Sequence, residues 1–210
     1  MPQLVRPGLL QKSAVVAGLA TIAAVLLPPL SRLGETLFAA HMAQHLLLIA
    51  VAAPLLVAGG ISLRVRPLWA WILFVGIFLF WHWPAAFQWA ARDPITQLLE
   101  LLSILFAAFL FWSTALVDST LSYGGRALLV MTAAVATDLP GVVMLFAPTP
   151  FAVMPHENAA AFGLTPLSDQ QIAGLLMWVP ANLVFFGIAT FLFARWMAAP
   201  HLSSTPLVSP

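Results

Sequence analysis

Charged side chains are nearly missing from long stretches of this sequence, and this scarcity limits the possible folds more than any other feature. Among 210 residues there are 8 Lys and Arg and 7 Asp and Glu, whereas about a quarter of the residues in a soluble domain are charged. Hydrophobic residues make up 62% of the chain, and the mean hydropathy is +1.00. One water-soluble core does not bury so much apolar surface, so the sequence indicates an integral membrane protein.

Long apolar runs separated by polar, Gly-containing or Pro-containing breaks predict about six transmembrane helices, since a helix needs about 20 apolar residues to cross the hydrocarbon. The first run is long and lacks a small-residue cleavage pattern, so we expect an uncleaved anchor rather than a signal peptide. The fold class expected is an all-α, polytopic transmembrane bundle that forms one domain over residues 1–198. Its predicted spans are 13–31, 36–58, 67–84, 95–117, 125–147 and 169–197.

The basic residues indicate how this bundle is oriented, because cytoplasmic loops retain Lys and Arg. If the N-terminus is inside, the outer segments hold only Arg32 and Arg92. Both termini are therefore predicted to be cytoplasmic, with 31–35, 85–94 and 148–168 facing outward, and 199–210 is expected to be a disordered cytoplasmic tail. The basic residues on the predicted inner side are Arg6, Lys12, Arg64, Arg66, Arg126 and Arg195.

The composition also excludes several classes of function. The formal net charge is +1 and the basic residues are scattered, which gives no surface for nucleic acid. The chain has no cysteine, so disulfides, iron–sulfur clusters and thiolate metal sites are excluded. The strong metal ligands that remain are His, Met and carboxylates.

Polar side chains inside the predicted spans are the main functional candidates, since inserting them into a bilayer is costly. His41 and His45 are four residues apart in the second span, so both rings project from one helix face about 6 Å apart along the axis. This spacing suits one metal ion or proton chemistry, and two histidines bonded to neighbouring helices are the structural alternative. His82 precedes a helix-breaking Trp83-Pro84 at the outer end of the third span.

Two carboxylates lie well inside the predicted hydrocarbon, Glu100 in the fourth span and Asp138 in the fifth. Counted at 1.5 Å per residue, both fall with His41 and His82 within roughly 8–14 Å of the outer surface. The two acids are expected to orient histidine rings or to take part in proton chemistry. For Asp138, a protonated acid bonded to a backbone carbonyl freed by Pro140 is an equal alternative.

Methionine and the start of the sixth span add weaker signals. A thioether suits Cu(I), which makes Met144 and Met177 candidate ligands and Met42 a lower-ranked one, although methionine more often fills gaps in a core. The sixth span opens with a sequence typical of a capping box, in which Ser168 caps the helix and Gln171 reaches back to it.

Several stretches, in order along the chain, carry a resemblance to a known family. They are HMAQHLLL at 41–48, APLL at 53–56, WHWP at 81–84, FLFW at 109–112, and GLTPLSDQQ at 163–171 with GLLMWVP at 174–180. With them the chain resembles the polytopic CtaG-type cytochrome c oxidase assembly factors, which are distinct from the single-spanning copper chaperone that sometimes shares the name.

The resemblance implies a bacterial inner-membrane protein, not an enzyme, that helps a haem-copper oxidase to mature. Copper delivery to an oxidase subunit, with a soluble periplasmic copper donor, is the implied role. Family members often carry a histidine after the fourth-span glutamate, where this chain has Leu101; His156 in the long outer loop is a weaker match. The motif residues carried over by position are His41, Gln44, His45, His82, Asp169, Gln170, Gln171, Met177 and Trp178.

The resulting hypothesis is a Cu(I) site formed by His41, His45 and His82, with Met177 or Met144 as a soft fourth ligand. An oxidising enzyme is a poorer reading, because the chain has 5 histidines and no HExxH motif. Two further alternatives remain open: haem binding between histidines of opposing helices, and a scaffold that holds an oxidase subunit without any metal.

Overall fold

A computed structural model of the chain describes residues 8–151, 154 and 156–199, and every regular element within them is helical. The predicted all-α fold class is therefore confirmed. Arg6 and all of the predicted tail except Ala199 lie outside the described residues. The elements are α1 (Leu9–Leu26), α2 (Leu30–Thr36), α3 (Phe38–Leu47), a π-helical turn (Leu48–Ala52), α4 (Ala53–Ala58), α5 (Pro67–His82), α6 (Pro84–Arg92), α7 (Pro94–Val117), α8 (Tyr123–Phe146), a 3₁₀ turn (Ala159–Phe162) and α9 (Pro166–Met197).

Five of the described helical stretches are long and apolar enough to cross a membrane, and a sixth span results if α5 and α6 are counted together. This agrees with the prediction of about six spans. The direction in which they cross stays a prediction. The five single stretches are Leu9–Leu26, Phe38–Ala58, Pro94–Val117, Tyr123–Phe146 and Pro166–Met197.

The first predicted span was placed too far along the chain. α1 ends at Leu26, before Pro28 and Pro29, and the predicted break at 31–35 is the helix α2. Proline has no N–H to continue the hydrogen bonds of α1, but its fixed φ suits the start of the next helix. The missing N–H of Pro29 also frees the Val25 carbonyl, which accepts a hydrogen bond from Gln44 Nε2 at 3.1 Å instead.

The predicted loop 85–94 is also mostly helical. α5 ends at His82, as the Trp83-Pro84 sequence predicted, and α6 begins at Pro84 with its axis bent by 74° from that of α5. α7 follows at Pro94, where Asp93 accepts hydrogen bonds from the backbone and hydroxyl of Thr96. These bonds lower the pKa of the Asp93 carboxyl from its ordinary value, with the hydroxyl bond as the larger cause.

The expected cap of the last helix was wrong. α9 begins at Pro166 and Thr165 is its cap: Thr165 Oγ1 accepts from Ser168 N at 3.1 Å, and Ser168 Oγ accepts from Thr165 N at 2.8 Å. Ser168 is thus the third helical residue, and Gln171 does not form the predicted box. Because proline is favoured at the first helical position, Pro166 shifts the start of the helix upstream.

Two kinds of packing hold the bundle together. Phe74 of α5 stacks on Phe111 of α7 with ring centroids 4.7 Å apart, and Phe185 of α9 lies 5.9 Å from Phe111. α8 and α9 instead meet through glycine, since a Cβ atom on Gly174 would lie 2.6 Å from the carbonyl oxygen of Gly141. Small residues at such crossings let membrane helices approach closely.

Candidate metal centre

The helix α3 places two histidines side by side in the interior. His41 and His45 are four residues apart and therefore share one helix face, as predicted. Both are 0% exposed, and their ring centroids lie 4.7 Å apart at an interplanar angle of 67°. Phe87 of α6 packs edge-on against His41 at 5.6 Å, so the helix that was expected to be a loop covers this pair from one side.

Glu100 of α7 faces the two rings directly. Its Oε1 lies 3.3 Å from His41 Nε2 and 3.4 Å from His45 Nε2, and the carboxylate is 0% exposed. One ligand atom from each of the three residues falls within 4.8 Å of the others. Ligands held tetrahedrally at about 2.1 Å from an ion lie about 3.4 Å apart. The two nitrogen-to-oxygen distances therefore match those of a metal centre.

His82 joins the group from the last turn of α5. Its ring centroid is 5.3 Å from that of His45, and its Nδ1 lies 2.7 Å from the Phe78 carbonyl oxygen. A carbonyl only accepts hydrogen bonds, so Nδ1 carries the proton and donates. The lone pair of Nε2 is then free to bind a ligand, the arrangement typical of metal-binding imidazoles.

Many polar atoms of this four-residue histidine–glutamate cluster, defined as His41, His45, His82 and Glu100, have no hydrogen-bond partner among the residues that the structure describes. Buried polar atoms in folded proteins are nearly always paired, because leaving them unpaired is costly. A group of unpaired atoms in one place therefore indicates a site that binds something else. The unpaired atoms of the cluster are His41 Nδ1, His45 Nδ1 and Nε2, His82 Nε2 and Glu100 Oε2.

The start of α3 is fixed by a residue from another helix. Leu37, at the N-cap position, has no side-chain acceptor, and Asp169 of α9 takes that role. Its Oδ2 accepts from Phe38 N at 2.7 Å and its Oδ1 from Ala39 N at 2.9 Å. A carboxylate at a helix N-terminus satisfies free N–H groups and complements the helix dipole. Asp169 thus fixes the helix one turn before His41.

Comparison with known proteins identifies the family. A family model described as cytochrome c oxidase caa3 assembly factor (Caa3_CtaG) matches residues 7–66 and 60–199. The chain belongs to this family. No curated protein and no solved structure gives a significant match.

In this family member, four motif residues other than the histidines make contacts that hold the helices in place. Asp169 caps α3, and Gln170 Nε2 donates to the Met144 carbonyl at 3.2 Å while its Oε1 accepts from Phe151 N at 2.9 Å. Gln44 connects α3 to the Val25 carbonyl. Trp178 is half-buried and lies edge-on to Phe146, with ring centroids 6.4 Å apart.

The candidate methionine ligands are buried, but the structure places two of them at the crossing of α8 and α9. Met144 is 3% exposed and its Cβ adjoins Gly174; Met177 is 5% exposed and its Cβ adjoins Gly141. Met42 is 1% exposed, on α3. Whether these sulfur atoms bind a metal stays a prediction. The exposed His156 lies in a turn of the 148–168 segment, and its role also stays a prediction.

Asp138 is a predicted residue that the structure places outside the histidine–glutamate cluster. α8 continues through Pro140, and the Asp138 carboxylate accepts from Asn182 Nδ2 of α9 at 2.6 Å. Its depth resembled that of the histidines, but depth does not tell which way a side chain points around its helix. Glu100, the other carboxylate, was expected to orient one histidine ring, and the structure places it against two. Asn182 was missed, although an asparagine two residues after Pro180 inside a span is a readable polar signal.

Proposed function

We propose that this family member carries Cu(I) in the histidine–glutamate cluster and passes it to a haem-copper oxidase subunit during assembly. The observation that supports this most strongly is the set of unpaired ring nitrogens contributed by three buried histidines. Neutral imidazoles are good ligands for copper, and the chain has no cysteine that would hold Cu(I) too tightly for release. Copper is here a cargo and not a resident cofactor.

Glu100 adds a negative charge to the proposed site. Its Oε1 is hydrogen-bonded to His41 Nε2 at 3.3 Å and lies 3.4 Å from His45 Nε2, with which it forms no hydrogen bond. When copper occupies the rings, this carboxylate balances the charge of the ion in a region with low dielectric constant. A carboxylate with histidines also suits Zn²⁺, so the experiment must compare the two metals.

The position of the cluster within the membrane suits an oxidase subunit as the recipient of the copper. The family assembles an oxidase, and the resemblance implies that the oxidase copper is itself histidine-ligated within the membrane. A carrier that holds copper at a similar depth spares the ion a crossing of bare hydrocarbon, which is costly for a charge. We infer a bacterial inner-membrane location, with the cluster in the outer half and a soluble periplasmic donor as the copper source.

Metal analysis of the purified chain tests this proposal. The wild type, loaded with Cu(I) and washed, should retain equimolar copper and prefer it to zinc, whereas His41→Ala/His45→Ala should retain almost none. His156→Ala is the matched control, because it removes an exposed histidine outside the cluster and should leave copper content unchanged. Equal copper in the wild type and the double variant would refute the site.

In a second candidate function, the cluster binds no metal and serves only as a polar contact that joins α3 to α7. The His41–Glu100 contact at 3.3 Å favours this alternative. Glu100→Gln separates the two, because it keeps the shape and one acceptor oxygen but removes the charge. For a copper site we expect the affinity to fall by about 10–100-fold, as for other residues that support metal ligands. If copper binds equally well to both proteins and only the stability changes, the contact is structural.

A further inference from the structure

A polar pair, Asp138 and Asn182, lies on the surface of the bundle at α8 and α9, away from the proposed copper site. Asn182 Nδ2 donates to Asp138 Oδ1 at 2.6 Å and to the Trp178 carbonyl at 2.9 Å, and both Asp138 and Asn182 are only half-buried. The other acceptor oxygen of the carboxylate, Oδ2, has no hydrogen-bond donor among the described residues.

The surroundings of this pair are apolar and unpartnered in the described part of the chain. Val135 and Leu139 beside Asp138 are 64% and 62% exposed, and Leu183 beside Asn182 is 73% exposed. Asp138 lies eight residues before the end of α8 at Phe146, which is about 12 Å along the axis. A carboxylate therefore faces the region that lipid would occupy, where an unpaired polar group is costly.

A shallow groove of about 570 Å³, widely open to the outside, adjoins the pair along α9. A Cβ atom added at Gly187 would meet nothing within 4 Å, so this glycine is not needed for any contact within the described chain. Glycines in membrane helices commonly allow the backbone of a second helix to approach. The groove is lined by Trp178, Val179, Asn182, Leu183, Phe186, Gly187 and Thr190.

We propose that this lipid-facing surface, formed by Asp138, Asn182 and the Gly187 groove, binds a transmembrane helix of the client oxidase that carries a hydrogen-bond donor at the depth of Asp138. Charge complementarity selects this partner, since lipid tails supply no donor. A second copy of the chain is a poorer partner, because a copy lying parallel in the membrane brings its own Asp138 and Asn182 to this depth, and both amide hydrogens of that Asn182 are already used. This inference rests on the oxidase-assembly part of the proposed function and not on copper binding.

Photo-crosslinking in membranes tests the proposal. A photoreactive residue replaces Leu183 in the full chain, co-expressed with a caa3-type oxidase whose subunits carry separate tags. We expect an adduct with a membrane subunit of the oxidase, and about a fivefold lower yield with Asp138→Leu, which corresponds to the loss of one interhelical hydrogen bond. Gly187→Leu, which fills the groove without a clash inside the chain, should lower the yield similarly.

Gly76→Leu is the matched control, because Gly76 is also an exposed helical glycine whose Cβ would meet nothing within 4 Å. An adduct between two copies of the chain, an adduct with lipid alone, or equal loss with Gly76→Leu and Gly187→Leu would overturn the proposal. The copper content of each variant separates this result from the proposed function. If the adduct is missing but copper is retained, the docking surface fails; if copper is not bound but the adduct forms, the copper proposal fails.

Discussion

The first turn and the middle of α3 both bury strongly polar groups, but in opposite ways. In the first turn, Asp169 accepts hydrogen bonds from Phe38 N and Ala39 N with both of its oxygens. One turn later, the ring nitrogens of His41 and His45 include three atoms with no hydrogen-bond partner in the described part of the chain. A satisfied polar group stabilises the fold, whereas a group of unsatisfied ones lowers stability and is retained for another reason.

This contrast assigns different tasks to residues that the family motif presents together. Asp169 and Gln170 are adjacent in α9, and through them this one turn contacts α3, α8 and the segment at Phe151. We infer that they position the histidine helix. The histidine–glutamate cluster is the part that remains available to a ligand.

The largest effect on stability is expected from Asp169→Ala. The change leaves two buried N–H groups of α3 without an acceptor, and each such group costs about 1–3 kcal/mol, so we expect a loss of roughly 2–6 kcal/mol in the free energy of unfolding. The measurement is equilibrium unfolding of the metal-free protein in detergent. Asp169→Asn is the matched control: it keeps one acceptor oxygen and should lose less. Equal stability of wild type and Asp169→Ala would remove the contrast between the two parts of α3.

A smaller effect is expected from Thr165→Ala, which removes the cap of α9 itself. Thr165 is exposed and its bond with Ser168 N is local, so water can replace the lost acceptor. Loss of such caps costs about 1 kcal/mol. Equilibrium unfolding of Thr165→Ala and Asp169→Ala, measured under the same conditions, compares the stability provided by a local cap with that provided by a cap from another helix. A larger loss for Thr165→Ala than for Asp169→Ala would show that the contact between α9 and α3 is not the important one.

The same residues show how far the sequence can predict this molecule. Apolar runs located most spans because their length is set by the bilayer, and the shared depth of His41, His82 and Glu100 was readable at 1.5 Å per residue. The direction of a side chain around its helix was not readable, since it depends on which helices pack together; this is why Asp138 was grouped with the histidines, whereas its carboxylate contacts Asn182.

Capping shows the same limit. The capping box is a pattern of four successive residues, so the sequence assigned Ser168 to the nearest helix start. The role of Asp169 as the cap of α3 joins residues 130 positions apart, and no local pattern reports such a contact. Polar segments were likewise taken for loops at α2 and α6, because short helices with polar residues resemble turns in composition.

The smallest stability change, and the sharpest separation of residues that hold the fold from residues that bind the ligand, is expected from His82→Leu in α5. Within residues 8–151, 154 and 156–199, the His82 ring makes one hydrogen bond, to the Phe78 carbonyl of the same helix turn, and its Nε2 makes none. A leucine of similar volume removes a buried unpaired nitrogen, so the metal-free protein should keep its stability to within about 0.5 kcal/mol or gain some. Copper affinity should nevertheless fall by at least about tenfold, because one imidazole ligand is lost. Both quantities are measured on the same purified variant, one by unfolding and one by competition with a Cu(I) chelator. A loss of copper affinity without a loss of stability would show that His82 serves as a ligand and not as a support of the fold. A drop in stability with unchanged copper affinity would place His82 with Asp169 among the residues that hold the fold.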